Sequence, residues 1–330
     1  MSATYRPAEL QRDAVGLAPT LFQSITHMAP AAAVAFSIIV GAPYAGGSLP
    51  LSVLLALLAC LFVAVSIGQL ARHLPSAGGL YTYSSRGLHP YVGFLVAWGF
   101  MMAEPIVAPL LYLIFGNELA ANLNSHFGWP LWLWAPFAAV AGLIVWALTY
   151  RGIRFSTRTG VALGTFEIVV FVALAVTLIV AAGGNNTLAV FAPNTGNLKG
   201  WGSVFPGMIY AILAFIGFEA AAPLAEEARE PRRTIPRAVL LSALLIGLFY
   251  LFCYYAATVY FGPNKMADPK TGFYAFNSND PWSGLAQAVW GPGIIIVILA
   301  VLNSAIANSN AGANAATRVG YSLARIGLLP

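Results

Sequence analysis

Charge is what this 330-residue chain has least of: 16 Lys and Arg with 11 Asp and Glu amount to 8% of its residues. A water-soluble domain carries about 25%. Between Asp13 and Arg72 there is no Asp, Glu, Lys or Arg at all. Such a gap excludes an ordinary soluble domain. Cysteine is scarce too. Cys60 and Cys253 both fall in apolar runs, which excludes a disulfide framework. The histidines, His27, His73, His89 and His126, are scattered along the chain. There is no metal-ligand spacing, no phosphate-binding glycine loop and no nucleophile elbow, so neither metal nor cofactor is expected. The first residues include Arg6, Glu9, Arg12 and Asp13 and offer no apolar core for a cleavable signal peptide. The first span is expected to act as its own insertion signal.

What the chain has instead is apolar length. It is 59% hydrophobic, with a mean hydropathy of +0.77. A spanning helix needs about 20 apolar residues. Eight segments qualify: 17–45, 49–71, 91–117, 131–150, 159–182, 203–227, 236–261 and 285–316. The expectation is an all-α integral membrane protein whose surroundings are the lipid bilayer. Thirteen basic residues, all arginine from Arg6 to Arg325, fall in one set of loops; only Lys199, Lys265 and Lys270 fall in the other. That asymmetry puts the N-terminus in the cytoplasm of a cell membrane. It is a topology signal, not a nucleic-acid footprint. Trp129, Trp132, Trp134, Trp201, Trp282 and Trp290 cluster at the expected outer ends, as an interfacial belt does.

Two spans carry a break. In span 1, Thr26-His27-Met28-Ala29-Pro30-Ala31-Ala32-Ala33 places a proline about a dozen residues in, where it removes an N–H and clashes with the preceding turn. In span 6, Phe215-Ile216-Gly217-Phe218-Glu219 places a glycine about fourteen residues in, beside a carboxylate. A carboxylate at mid-depth costs about 2.5–3.5 kcal/mol on insertion scales and marks a functional site by default. If five spans form one repeat, span 6 is the partner of span 1 and the breaks correspond. Transporters built from inverted repeats bind solute at such matched breaks. The competing reading is that Pro30 and Gly217 only bend their helices. Broken ends expose N–H groups around Ala31, Ala32 and Ala33, which favour an anion, and carbonyls around His27, Met28, Phe215 and Ile216, which favour a cation. Small side chains at Ala29 and Ala31 to Ala33 permit close approach. Such a site fits a zwitterion, an α-amino acid or a close relative.

Three stretches then resemble the amino acid–polyamine–organocation superfamily of permeases. Leu74-Pro75-Ser76-Ala77-Gly78-Gly79-Leu80-Tyr81 is similar to its first cytoplasmic loop. Ala214 to Glu219, followed by Ala225 to Pro236, is similar to its sixth helix and the loop after it. Thr317 to Pro330 is similar to the cytoplasmic end of its eighth helix. The resemblance implies a LeuT-type fold of twelve helices with two inverted five-helix repeats. It divides the chain into a tail at 1–16, a first repeat at 17–182 and a partial second repeat at 203–330. Since the chain stops after about eight helices, a truncated product or fragment is expected. Many members break helix 1 with Gly-Ser/Thr-Gly; the equivalent here is Met28-Ala29-Pro30-Ala31, a departure at the point of carboxylate capture.

The resemblance implies secondary active transport of an amino acid or related amine, by proton-coupled symport or exchange. Glu219 is the candidate for gating or proton linkage and Glu167 for coupling, where related carriers bind sodium. Glu167 has a second reading, as a tether to Asn303, Ser304 or Asn308. Glu104, before Pro105 in span 3, either faces the pocket or stabilises a kink. His27 either titrates in function or is held by a local hydrogen bond. Asn303, Asn310 and Asn314 share a helix face, which lines a hydrated path or makes interhelical hydrogen bonds. Two other classes stand as alternatives: a non-transporting remnant, and an integral membrane enzyme, which needs clustered catalytic residues at one face.

Overall fold

The computed structural model describes residues 10–196 and 200–329, except for the side chain of His126. Arg6, Glu9 and Lys199, which entered the charge pattern, lie outside the described residues. Within them the chain is helical: α1 Leu17–His27, α2 Pro30–Ala32, α3 Ala42–Ala45, α4 Leu49–His73, α5 Leu80–Gly87, α6 Pro90–Phe127, α7 Trp134–Tyr150, α8 Ile153–Ala182, α9 Trp201–Leu213, α10 Pro231–Phe261, α11 Pro281–Trp290 and α12 Ile294–Arg325. The only extended pairing among the described residues is an isolated bridge between Val15 and Ala228.

Seven runs are long and apolar enough to cross a membrane, against the eight segments expected. The difference lies in the first run, Leu17–His73, whose 57 residues pass without a long loop through both of the first two expected spans. A straight helix of that length would reach about 85 Å, nearly three times a hydrocarbon core of about 30 Å. The run therefore has to fold back, and it does so at Gly46, whose φ of +52° reverses the chain ahead of α4. The last expected span, 285–316, is also divided. α11 ends at Trp290, Gly291 takes φ +55°, and α12 continues to Arg325.

α1 lies at the centre, packed against α8, α10 and α12. α4 packs along α10, and α12 along α6 and α8. Many interior side chains are small: Ala31, Ala56, Ala64, Ala211, Ala238, Ala243 and Ala307 are all buried. Small side chains let helix backbones approach closely when lipid offers no hydrophobic drive for association. The tryptophans divide. Trp129, Trp132, Trp134 and Trp201 are exposed, as a belt requires, but Trp282 is only 1% exposed. It sits among Phe171, Tyr254 and Phe273, with ring centroids 5.6, 5.6 and 6.1 Å away, and so belongs to the core.

The arginine-rich ends come together on one face. Arg229 Nε donates to Asp13 O at 3.2 Å, Arg318 Nε to Glu227 Oε2 at 2.8 Å and Arg325 Nη2 to Glu226 Oε1 at 2.7 Å. Glu226 Oε1 also accepts the N–H of Ala77, in the loop between α4 and α5, at 3.0 Å. These bonds tie the N-terminal stretch, that loop, the end of span 6 and the end of α12 into a closed basic face.

The junction of two helix breaks

The first break follows from its sequence. α1 ends at His27, with the N–H of Met28 still bonded to Ser24 O at 3.1 Å. A residue before proline is pushed out of the right-handed helical region. Ala29 takes φ 47°, ψ 64°, a left-handed conformation that costs a non-glycine residue about 1–3 kcal/mol. Pro30 then opens α2 as its first residue, where a missing N–H costs nothing. Helical turns continue to Ala45, through a π segment at Ala33–Ser37 and a 3₁₀ segment at Ile38–Gly41.

In the second break α9 stops at Leu213, and the chain continues in 3₁₀-type turns: Phe215 N–H bonds to Ile212 O at 2.9 Å and Ile216 N–H to Leu213 O at 3.3 Å. Gly217 takes φ +118°. A Cβ there would lie 2.7 Å from the carbonyl carbon of His27 and 2.9 Å from the nitrogen of Met28. Glycine is therefore required twice over, for its dihedral and because the first break runs directly against it. A 3₁₀ segment, Phe218–Leu224, follows.

Side chains fasten the breaks together. The Tyr250 hydroxyl lies 2.8 Å from Met28 O and 2.9 Å from Ala214 O, its one proton shared between them. Phe215 is buried edge-on against that ring at 5.4 Å. Ser24 Oγ donates to Phe218 O at 2.7 Å and accepts from Ala221 N–H at 2.9 Å. Asn308 Nδ2 donates to His27 O.

The N–H groups expected to await an anion are already engaged. Ala31 N–H donates to Glu167 Oε2 at 3.0 Å, Ala32 N–H to Ser304 Oγ at 3.2 Å and Ala33 N–H to Ala29 O at 2.7 Å. Across the junction, Gly217 N–H donates to Glu219 Oε2 at 3.0 Å. Each break is thus capped by a carboxylate of the chain itself. Glu167 is thus bonded to the backbone of α2.

A cavity of about 250 Å³ opens at the junction. From α1 to the π segment it is lined by His27, Met28, Ala29, Ala32 and Ala33, from span 6 by Leu213, Ala214 and Ile216, from α6 by Glu104 and from α12 by Asn308. Ala31, Phe215, Gly217 and Glu167 lie behind this surface. Glu219 lines a separate space of about 10 Å³ with Gly78, Tyr81 and Pro223, toward the basic face. His27 Nε2 stands 3.1 Å from Glu104 Oε2, yet Oε2 has no hydrogen-bond partner.

Sequence reasoning missed Tyr250 and Gly312. A Cβ on Gly312 would lie 2.6 Å from Glu104 Oε2, so this glycine makes room for that carboxylate. The asparagine face on α12 is structural: Asn303 donates to Leu163 O at 2.9 Å, Asn310 accepts from Ser156 Oγ at 2.7 Å, and Asn314 donates to Ser156 Oγ at 2.8 Å. Asn308, two residues before Asn310 and so on another side of α12, is the asparagine that reaches the cavity.

An apolar helical bundle with two helices broken face to face around a cavity is the architecture of a membrane solute carrier. Residues 20–330 match the family described as amino acid permease, and the chain belongs to that family. The fold is accordingly that of an all-α, multi-pass membrane protein of the LeuT-type class. Among curated relatives, the chain is 28% identical over 261 residues to the low-affinity putrescine importer PlaP of Escherichia coli, covering 78% of this chain and 56% of that protein. It is 26% identical over 281 residues to the glutamate/serine transporter AimA of Bacillus subtilis, with 78% and 49% covered. It is 31% identical over 245 residues to an uncharacterized transporter of Mycobacterium tuberculosis, with 70% and 50% covered. The chain spans about half the length of the curated relatives it matches. The family and these relatives are permeases and transporters, not enzymes.

Proposed function

We propose that this chain forms the solute-binding part of a secondary active carrier for amino acids or related small amines. The solute occupies the cavity at the junction of the breaks. The observation that carries this reading is the convergence of both broken helices, with α6 and α12, on one cavity of about 250 Å³. That is a volume suited to a small metabolite, at the lower end of ligand-pocket sizes. The names of the relatives, a putrescine importer and a glutamate/serine transporter among them, support the substrate range. In this reading 17–182 and 203–330 are a first repeat and part of a second, with Pro30 and Gly217 at corresponding places. The basic face is cytoplasmic and the membrane is the cell membrane.

Alternating access requires the space below the cavity to open. Glu219 lies there with Gly78 and Pro223, which supports a gating role. Glu167, bonded to the backbone of the first break, is the candidate for proton coupling. Uptake of labelled amino acids and putrescine into proteoliposomes tests the reading. Glu219→Gln is expected to slow uptake at least tenfold, and Glu167→Gln to abolish its dependence on a pH gradient. Unchanged uptake and pH dependence in both variants sinks these roles. Ligand binding with no uptake is the signature of a second reading, a part that binds solute without carrying it.

A further inference from the structure

A broken helix offers a solute two kinds of backbone group, N–H groups for a carboxylate and carbonyls for an amine. Here the N–H side is used up. Those of Ala31, Ala32 and Ala33 go to Glu167, Ser304 and Ala29. Those of Gly217 and Ala221 go to Glu219 and Ser24, and those of Phe218 and Ala220 stay within their own turns. No lysine or arginine lines the cavity.

What the cavity does offer is acceptors. Glu104 Oε2 and Asn308 Oδ1 have no hydrogen-bond partner, on residues that are each 7% exposed and both line the cavity. They reach it from different helices, α6 and α12. Gly312 leaves the space into which the Glu104 carboxylate projects. A buried acceptor left without a donor costs about 1–3 kcal/mol, and more for a charged group. A ligand that brings donors removes that cost. An ammonium carries three donors and no acceptor, whereas a carboxylate would face Glu104 with only the His27 imidazole, whose Nδ1 has no hydrogen-bond partner, to offset the repulsion. Apart from His27 and Ser37 the rest of the wall is apolar, with Phe36, Val107, Leu110 and Ile216.

The geometry points to a solute recognised by a protonated amine, held by Glu104 and Asn308 with an apolar body against α6 and span 6, for which a free carboxylate is not required. The inference rests on the cavity being the solute site. It narrows the substrate class to small amines, and it treats Glu167 and Glu219 as occupants of the places a substrate carboxylate would need.

Two matched series test it by calorimetry on the purified chain in nanodiscs: leucinol, leucine and 4-methylpentanoate, then 1,4-diaminobutane, 4-aminobutanoate and butanedioate. The expected result is binding in at least one series that ranks the carboxylate-free amine at or above the compound bearing both groups, with no binding of the amine-free acid. Glu104→Gln is expected to weaken the amine at least tenfold. Gly312→Ala, which displaces the Glu104 carboxyl, is expected to weaken it severalfold; it keeps the inference testable should Glu104→Gln not fold. A tenfold preference for leucine over leucinol, or for 4-aminobutanoate over 1,4-diaminobutane, overturns the inference. If Ala33→Trp, which fills the cavity, then abolishes that binding, the site stands and only the amine rule falls. Binding that survives Ala33→Trp, or no binding of any of the six compounds, overturns both the site and the rule.

Discussion

At the first break the N–H of Ala31 is taken by a carboxylate 136 residues away, on α8. At the second, the N–H of Gly217 is taken by a carboxylate two residues on. The cap of the first break is lent by the surrounding bundle, through Glu167 and through Ser304 of α12. The cap of the second belongs to the segment it closes. A lent cap fixes α2 to α8 and α12, so α2 cannot shift without leaving a buried N–H unpaired. A local cap travels with its segment. Phe218–Leu224 can therefore move relative to α8 at no cost in this bond, and among side-chain bonds what restrains it is the Ser24 fastening to α1. The comparison separates a break held by the surrounding bundle from one capped within its own segment.

The sharpest way to break that comparison is to remove the lent cap. Glu167 is 0% exposed, and Glu167→Ala leaves the Ala31 N–H buried without an acceptor. The expected loss is about 3 kcal/mol, the upper part of the range for an orphaned buried group, read as a drop in melting temperature in detergent. Glu167→Gln keeps an oxygen acceptor in place and is expected to lose about 1 kcal/mol or less. Equal losses in the two variants would mean that the charge of Glu167, not its bond to α2, is what matters.

The local cap predicts a smaller effect. Glu219 is half-buried, and Glu219→Ala exposes the Gly217 N–H in a segment able to adjust. The expected loss is about 1 kcal/mol. Because Tyr250 bonds both breaks and Ser24 of α1 holds the second, the double variant with Glu167→Ala is expected to depart from additivity by more than about 0.5 kcal/mol. Additive losses would show that the two caps act on independent segments.

Both breaks were legible because each has a chemical cause within its own segment: a proline that cannot donate, and a glycine next to a carboxylate in an apolar run. Glu104, Glu167 and Glu219 stood out for the same reason, as charges where charge is expensive. Their partners were not legible. Tyr250 is one tyrosine among several in an apolar helix, and Gly312 one glycine among 32. Their roles exist only once α10 and α12 are laid against α1 and α6. The sequence also shows which N–H groups a proline frees but not which distant side chain then takes them, so the break in span 1 read as an open anion site. Continuous hydropathy from 203 to 227 concealed the change from α to 3₁₀ geometry after Leu213, because burial alone does not distinguish the two helix types.

A third carboxylate extends the comparison to the surface. Glu226 lies past the end of the apolar run at Leu224 and caps the N–H of Ala77 at 3.0 Å. Its two hydrogen bonds with Arg325, both 2.7 Å, are the main cause holding its carboxyl below the usual 4.5, with burial opposing and the Ala77 bond assisting. A lowered folded-state value means that the contribution is fully present above about pH 4.5 and is lost as pH falls through the folded value. With side chains 27% and 38% exposed, the pair contributes about 1 kcal/mol or less. If depth sets the worth of a carboxylate cap, Glu226→Gln is the mildest of the three removals. The melting-temperature gap between it and the unaltered chain should stay constant from pH 5 to 7, narrow below about pH 4.5 and shrink in high salt, because exposed charge pairs are screened. A gap that is independent of pH and salt would mean that the bond to Ala77 acts without its charge. A loss exceeding that of Glu167→Ala would show that the closed basic face, not the buried break, is where the molecule is held.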